Sequence, residues 1–135
     1  MAQPIRVLIA DDRPRSREGL RALLATCEEI DVVGEASNGE EAVRMTEKDG
    51  PDVVLMDARM PVMGGIEATR RIKEQYPDIH VIMLSLYTAY RLKAMAAGAA
   101  AFLVKGGSSQ ELLETIKTWG SASHQPGFDA SLLPS

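Results

Sequence analysis

Five polar residues stand at the ends of short apolar runs, where an α/β protein often carries the side chains that do chemistry. They are an adjacent acidic pair, a third acid, a hydroxyl and a lysine: Asp11, Asp12, Asp57, Ser85 and Lys105. In an open parallel sheet the carboxyl ends of the strands line one crevice. We therefore expect these five groups to converge on a single rim, although they are spread over residues 11–105.

Together these groups predict a site for phosphoryl transfer. Three clustered carboxylates repel one another and raise their own pKa values unless a cation lies between them. A ligand set made only of oxygen atoms favours a hard cation, and Mg²⁺ binds a few carboxylates while keeping waters for an incoming phosphate. Aspartate is a known covalent acceptor of phosphate. Lys105 would supply a positive charge for one phosphoryl oxygen, and the hydroxyl of Ser85 a hydrogen bond for another.

Each of these residues also has an ordinary structural explanation. An acidic pair after a strand is usually a helix cap or a solvated turn, and a single Asp57 could be a loop residue. Ser85 alone could be a turn former, and Lys105 alone a solvated charge. The prediction of a site therefore depends on their joint placement at four strand ends.

Apolar runs and amphipathic segments alternate five times along the chain. The patterns predict strands at residues 5–10, 31–36, 52–56, 79–84 and 101–104, and helices near 14–27, 40–48, 66–75 and 89–97, with a last helix from Ser108–Ser109 through Trp119. Asn38 or Ser37 is the expected cap of the second helix, and Gly98 a left-handed cap of the fourth. Apolar strands separated by helices indicate a parallel sheet covered on both faces, a small doubly wound α/β domain.

Composition sets further bounds. The 135 residues suit one domain, and 45% hydrophobic with 25% charged residues is typical of a globular protein. No apolar run is long enough to span a membrane, and the first residues lack the pattern of a secretory signal, so we expect a cytoplasmic protein. The single cysteine, Cys27, excludes an internal disulfide and a zinc site built on several thiolates, and its helical spacing predicts a core position.

Charge and the C-terminal composition bear on the partners of the chain. The net charge of −4, without a basic stripe, makes direct nucleic-acid binding by these residues unexpected. Residues 120–135 are rich in serine and carry two prolines and one charged side chain, which predicts a linker or tail after a domain at 1–119.

Several motifs, taken in order, resemble those of response-regulator receiver domains of two-component systems. The match runs from about Ile5 to Trp119, and its motifs are Ile9-Ala10-Asp11-Asp12, Val54-Leu55-Met56-Asp57 with Met60-Pro61 and Gly64-Gly65, Met83-Leu84-Ser85, and the run from Gly98 to Lys105. Residues 37–42 and 105–112 are similar to the receivers that precede a LuxR-type helix-turn-helix domain. The resemblance implies a flavodoxin-like fold, a five-stranded parallel sheet of order 2-1-3-4-5 with five helices.

The resemblance also implies a role for each site residue. Asp57 would be the phosphoacceptor, loaded by a sensor histidine kinase, and Lys105 would pair with the phosphoryl group. Asp12 and Asp57 would coordinate Mg²⁺ directly, Asp11 would do so through water, and the main-chain carbonyl of Arg59 would complete the protein ligands. Ser85 and Phe102 would form the switch, with the hydroxyl drawn toward phosphate and the ring rotating inward. The altered surface would promote a homodimer that controls a C-terminal DNA-binding domain.

Three residues depart from the family pattern. Gly106 stands where many receivers have proline, which predicts a looser loop before the last helix. Leu86 stands where a small residue is usual, so it could restrict access to the pocket or alter the lifetime of the phosphate. Phe102 replaces a tyrosine, so any readout by that ring must come from packing alone.

Three other classes of function stay open on the sequence. An aspartyl-phosphate phosphohydrolase would place a second acid two residues after its nucleophile, whereas Asp11 and Asp12 are adjacent. A flavin or nucleotide carrier would need a phosphate loop after the first strand, and neither G-x-x-x-x-G-K-[ST] nor G-x-G-x-x-G occurs. A non-phosphorylated receiver that only binds partners is disfavoured by the full set of site residues, although Leu86 and Gly106 keep it open.

Overall fold

Five short runs rich in β-branched and aliphatic residues form one parallel sheet. The computed structural model describes residues 3–123 and contains strands β1 (Ile5–Ala10), β2 (Ile30–Ala36), β3 (Val53–Asp57), β4 (His80–Ser85) and β5 (Ala101–Val104). Their order across the sheet is β2-β1-β3-β4-β5, and all four neighbouring pairs are parallel. The predicted doubly wound order is therefore confirmed.

Helices connect the strands and cover both faces of the sheet. They are α1 (Pro14–Ala25), α2 (Gly39–Asp49), α3 (Gly65–Gln75), α4 (Arg91–Ala96) and α5 (Ser109–Ser123). The predicted helix at 89–97 is shorter than expected, because Thr88–Tyr90 forms a separate 3₁₀ turn before α4. The predicted caps are present: Oδ1 of Asn38 accepts a hydrogen bond from the Glu41 N–H at 2.8 Å, and Gly98 has a φ of 106°.

Each face of the sheet has its own hydrophobic core. One core lies under α2, α3 and α4 and includes Leu8, Met56 and Phe102. The other lies under α1 and α5 and includes Ile9 and Leu55, with Cys27 packed at its margin in a partly buried position. Burial of each large aliphatic side chain contributes roughly 1.5–3 kcal/mol, so these two layers hold the central strands rigidly.

The last helix continues to Ser123, four residues past the predicted domain end at residue 119. Gly120 lets this part of the helix pack closely on β1, since a Cβ there would lie 2.4 Å from Cγ2 of Ile5. Ala122 is also buried. The rest of the predicted linker, residues 124–135, lies outside the described residues.

The strand register brings the predicted site residues to one edge. Ala10 pairs with Met56, Asp57 with Leu84, and Ser85 with Val104. The residues that follow β1, β3, β4 and β5 therefore meet at the carboxyl edge, as expected for a parallel sheet. Within residues 3–123, no helix has both the length and the apolar character needed to cross a membrane.

Candidate functional site

Lys105 is the centre of the polar cluster at the carboxyl edge of the sheet. Its ammonium Nζ donates to Oδ2 of Asp11 at 2.6 Å and to Oδ2 of Asp57 at 3.4 Å. A third, longer hydrogen bond reaches Oγ of Ser16 at 3.4 Å. The structure thus brings together groups that are 94 and 48 positions apart along the chain, as the strand-end pattern predicted.

Asp11 is a buried carboxylate held in its ionised form. Burial by itself raises the pKa of Asp11, but the hydrogen bonds from Lys105, from the Arg13 N–H at 2.9 Å and from Ser16 outweigh burial and leave the pKa below its ordinary value. The chain beyond Asp11 is fixed as well, since the guanidinium of Arg17 donates to its main-chain carbonyl at 2.7 Å. Asp11 therefore contributes a permanent negative charge to the cluster at neutral pH.

Asp57 lies in a different electrostatic environment. Burial raises the pKa of Asp57, the charge of Lys105 lowers it and the nearby Asp11 carboxylate raises it again, so that the pKa lies above its ordinary value. Within residues 3–123, the hydrogen bonds to its carboxylate are both long, 3.4 Å from Lys105 Nζ and 3.4 Å from the Arg59 N–H. The carboxylate therefore receives weaker hydrogen bonds than that of Asp11, and Asp57 lines a cleft.

The cleft has a volume of about 800 Å³, and its walls include Asp12, Asp57, Ser85 and Lys105. Ser85 is buried, and its hydroxyl Oγ accepts a hydrogen bond from the Tyr87 N–H at 3.0 Å. Leu86, the bulky departure from the family pattern, is 55% exposed and also lines the cleft. Its side chain therefore forms part of the cleft wall that also includes Asp57.

The three carboxylates are suitably placed to hold a metal ion. One oxygen from each of Asp11, Asp12 and Asp57 lies within 4.8 Å of the others, and Asp12 is exposed while its two neighbours are buried. Three carboxylates meeting one ammonium leave an excess of negative charge that a hard divalent cation would neutralise. The donor set therefore fits Mg²⁺.

The predicted switch ring, Phe102, is 4% exposed and packs in the core beneath α4. The guanidinium Cζ of Arg91 lies 5.0 Å from the centre of that ring, a cation–π contact between α4 and β5. The ring is already buried here, so the expected inward rotation has little exposed surface to remove. Gly106 follows with a φ of 78°, a value that favours glycine over the proline of many receivers.

The sequence prediction missed three residues that shape the site. The Ser16 hydroxyl accepts a hydrogen bond from Lys105, and the Arg17 guanidinium donates one to the main-chain carbonyl of Asp11. The main-chain N–H of Tyr87 donates one to the Ser85 hydroxyl oxygen. Ser16 and Arg17 lie in the first turns of the helix after Asp11, and this closeness in sequence was the one signal that could have linked them to the site. Neither residue type is distinctive enough there to predict its contact.

Comparison with known proteins agrees with this geometry. The family model described as "Response regulator receiver domain" matches residues 7–117. The response regulator UvrY of Escherichia coli K12 is 46% identical over 116 residues, which are 84% of this chain and 53% of that protein. The chain thus spans about half the length of this curated relative.

Two solved structures share the fold and part of the sequence. A LuxR-family two-component response regulator from Aurantimonas sp. SI85-9A1 superposes with a TM-score of 0.83 at 34% identity, covering 88% of this chain and 86% of that one. The CheX–CheY–BeF₃–Mg²⁺ complex of Borrelia burgdorferi gives a TM-score of 0.79 at 29% identity, covering 86% and 89% of the two chains. With its matching family model, sheet order and acidic pocket, the chain belongs to the response regulator receiver domain family.

Proposed function

We propose that Asp57 accepts a phosphoryl group from a sensor histidine kinase and that the modification switches the surface of the domain. A receiver of this family is not a conventional enzyme, and the chemistry takes place on its own side chain. The observation that carries the assignment is the contrast between the two buried aspartates. Within residues 3–123, each carboxylate oxygen of Asp11 accepts a short hydrogen bond, whereas those to Asp57, which lines the open cleft, are 3.4 Å long.

The transfer itself is a displacement at phosphorus. An ionised oxygen of Asp57 forms the new O–P bond, the P–N bond of the donor phosphohistidine breaks, and its electron pair stays on the imidazole nitrogen. Lys105 lies 3.4 Å from Asp57, where its ammonium would pair with a phosphoryl oxygen. The Ser85 oxygen accepts a hydrogen bond from the Tyr87 N–H, and its own O–H, drawn toward the phosphate, would donate to another phosphoryl oxygen.

We also propose that Mg²⁺ is the resident cation of this pocket. Asp12 and Asp57 would bind it directly, Asp11 through water, and Arg59 through its main-chain carbonyl. When bound, the ion neutralises negative charge on the phosphoryl oxygens and on the carboxylates around them. Support comes from the oxygen cluster and from the related Borrelia burgdorferi complex, which contains Mg²⁺.

The output of the switch is proposed from the relatives. The chain covers about half of the UvrY length, which leaves room in a full regulator for a helix-turn-helix domain after a linker. We infer that phosphorylation promotes a homodimer, through Ser85 and Phe102, and that DNA is contacted by the output domain alone. The net charge of −4 and the absence of a basic stripe support this division of labour, which would operate in the cytoplasm.

The test is intact-mass measurement after incubation with Mg²⁺ and acetyl phosphate. We expect the wild-type chain to gain one base-labile phosphoryl group, and the Asp57→Asn variant to gain none. Asp31→Asn, which removes an exposed carboxylate from β2, is the matched control and should react like the wild type. No modification of the wild type would refute the assignment and favour a receiver that only binds partners, and modification of Asp57→Asn would show that another residue is the acceptor.

A further inference from the structure

The acceptor pocket presents an electrostatic difficulty for its own substrate. Phosphodonors are anions, yet the chain has a net charge of −4 and the pocket holds three carboxylates against the single ammonium of Lys105. Even a bound divalent cation only balances the pocket. An anionic donor therefore gains no net attraction from the groups that carry out the transfer, and any attraction must come from the walls of the cleft.

Three arginines line that cleft: Arg13, Arg15 and Arg59. Within residues 3–123, Arg13 and Arg15 form no ion pair with a carboxylate. Other arginines of the chain do so: Glu35 holds Arg17 at 3.4 Å and Arg21 at 2.8 Å. Among the described residues, Arg13 and Arg15 therefore have no carboxylate partner at ion-pair distance beside the site.

The position of two of these arginines costs the fold stability. Arg13 is the N-cap residue of α1 and Arg15 lies in its first turn, which contains no acidic residue. A helix N-terminus carries partial positive charge, so cations are disfavoured there and acids are favoured. The side chain of Arg13 makes no capping hydrogen bond in return. Residues that break a local rule without a structural gain often serve a function.

The third arginine is held in place by an aromatic ring. The guanidinium Cζ of Arg59 lies 5.3 Å from the centre of the Tyr87 ring, and Tyr87 lies edge-on to Tyr90 at 6.3 Å. A cation–π contact orients the guanidinium without cancelling its charge. Arg59 therefore stays positive at the cleft that Arg13 and Arg15 also line.

We propose that Arg13 and Arg15, assisted by Arg59, form a positive entrance that attracts dianionic phosphodonors to Asp57 and so determines which small donors the domain accepts. The substrate class is the acyl phosphates, whose phosphoryl group is a dianion at neutral pH. Transfer forms the bond between an Asp57 oxygen and phosphorus and breaks the P–O bond of the donor, whose electron pair leaves with the carboxylate. The inference rests on the proposed role of Asp57 as acceptor.

The expected effect follows from Coulomb's law with screening. For a dianion about 8 Å from an arginine in water, the attraction raises the local donor concentration about fourfold at 0.01 M salt and about twofold at 0.1 M. Two arginines multiply these factors, to more than about tenfold and about fivefold. At about 1 M salt the Debye length is about 3 Å and the gain disappears.

The experiment measures initial rates of phosphorylation by intact mass, with saturating Mg²⁺, across a range of ionic strength. The double variant Arg13→Gln/Arg15→Gln, the entrance variant, removes the two α1 charges of the entrance. It leaves Asp11, Asp57 and Lys105 in place. Arg44→Gln/Lys48→Gln is the matched control, because it removes two exposed charges of α2 that do not line the cleft. Thermal melts of both variants verify that they are folded.

At low salt the entrance variant should react with acetyl phosphate about tenfold more slowly than the wild type, and this difference should vanish at high salt. With phosphoramidate, a monoanion at neutral pH, the loss should be about threefold, because the Coulomb energy halves. The control should follow the wild type. An equal loss in the control, a loss that persists at high salt, or equal losses with both donors would overturn the entrance. A wild-type chain that is not phosphorylated at all would instead overturn the role of Asp57.

Discussion

Asparagine in place of Asp57 should stabilise the metal-free domain, whereas asparagine in place of Asp11 should destabilise it. The two residues share the cluster and the ammonium of Lys105, but their surroundings shift their pKa values in opposite directions. Asp11 receives strong hydrogen bonds as an anion, at 2.6 Å from Lys105 and 2.9 Å from the Arg13 N–H. Among the described residues, the hydrogen-bond donors to the Asp57 carboxylate lie 3.4 Å away, so its negative charge is poorly compensated.

The size of the effect follows from the distances. At an effective dielectric constant of about 20, each carboxylate within 4.8 Å of Asp57 repels it by about 3.5 kcal/mol or more. Lys105 at 3.4 Å attracts it by about 5 kcal/mol on the same scale. Two repulsions against one attraction leave about 2 kcal/mol opposing the charge, and solvent around the exposed Asp12 reduces that share. We expect Asp57→Asn to raise the unfolding free energy by about 1–2 kcal/mol, which corresponds to a rise of about 3–8 °C in Tm.

The Asp11→Asn variant should lose about 1–2 kcal/mol, because charge-assisted hydrogen bonds to Lys105 and to the Arg13 N–H are weakened. The assay is urea unfolding of the wild type and both variants in EDTA, followed over a range of pH. Because the pKa of Asp57 is raised in the folded state, the contribution of this residue to the unfolding free energy is full below its unfolded-state pKa. That contribution is lost as the pH rises through the folded-state pKa. The advantage of Asp57→Asn should therefore appear as the pH rises and vanish in acid.

For Asp11 the sign is reversed. Because the pKa of Asp11 is lowered in the folded state, its contribution to the unfolding free energy is full above the unfolded-state pKa. That contribution is lost as the pH falls through the folded-state pKa. The deficit of Asp11→Asn should therefore be full at neutral pH and disappear on acidification. If Asp57→Asn instead lowers the stability at neutral pH, or if both variants shift it in the same direction, the assignment of uncompensated charge to Asp57 is wrong.

Three further perturbations test other parts of the structure. Val62, exposed in the loop after β3, has a φ of 69°, which is strained for a β-branched residue, so Val62→Gly should raise the unfolding free energy by about 0.5–1 kcal/mol in urea unfolding. Gly120→Ala should lower it by about 1 kcal/mol or more in the same assay, because the new Cβ would meet Ile5, and an unchanged stability would contradict the close packing of α5. Burial and the charge of Lys73 lower the pKa of His80, whose ring lies tilted against that of Trp119. The unfolding free energy should therefore fall as the pH drops below the ordinary histidine pKa, and His80→Gln should flatten that dependence between about pH 7 and 5. An unaltered pH profile in His80→Gln would show that another group titrates.

The positions of the strands and most helices follow from the sequence because they depend on local patterns. Apolar runs fixed the extent of β1 and β5, and Asn38 and Gly98 marked helix ends through their own side chain or backbone freedom. The strand-end positions of Asp11, Asp57 and Lys105 were enough to predict that they meet, since parallel strands end at one edge. The family resemblance supplied the order of the strands, which a local pattern does not encode.

Other features exist only in the assembled fold. The close approach of Gly120 to Ile5 joins residues near opposite ends of the domain sequence, so no local signal could predict it. The same is true of the hydrogen bonds of Lys105, which are unequal: 2.6 Å to Asp11 and 3.4 Å to Asp57. The sequence by itself determined which residues reach the carboxyl edge, because the direction and length of each strand decide which residue follows its end. Distances and burial, which tertiary packing alone decides, determined the charge balance there and, within residues 3–123, left Arg13 and Arg15 of the cleft wall without an ion pair.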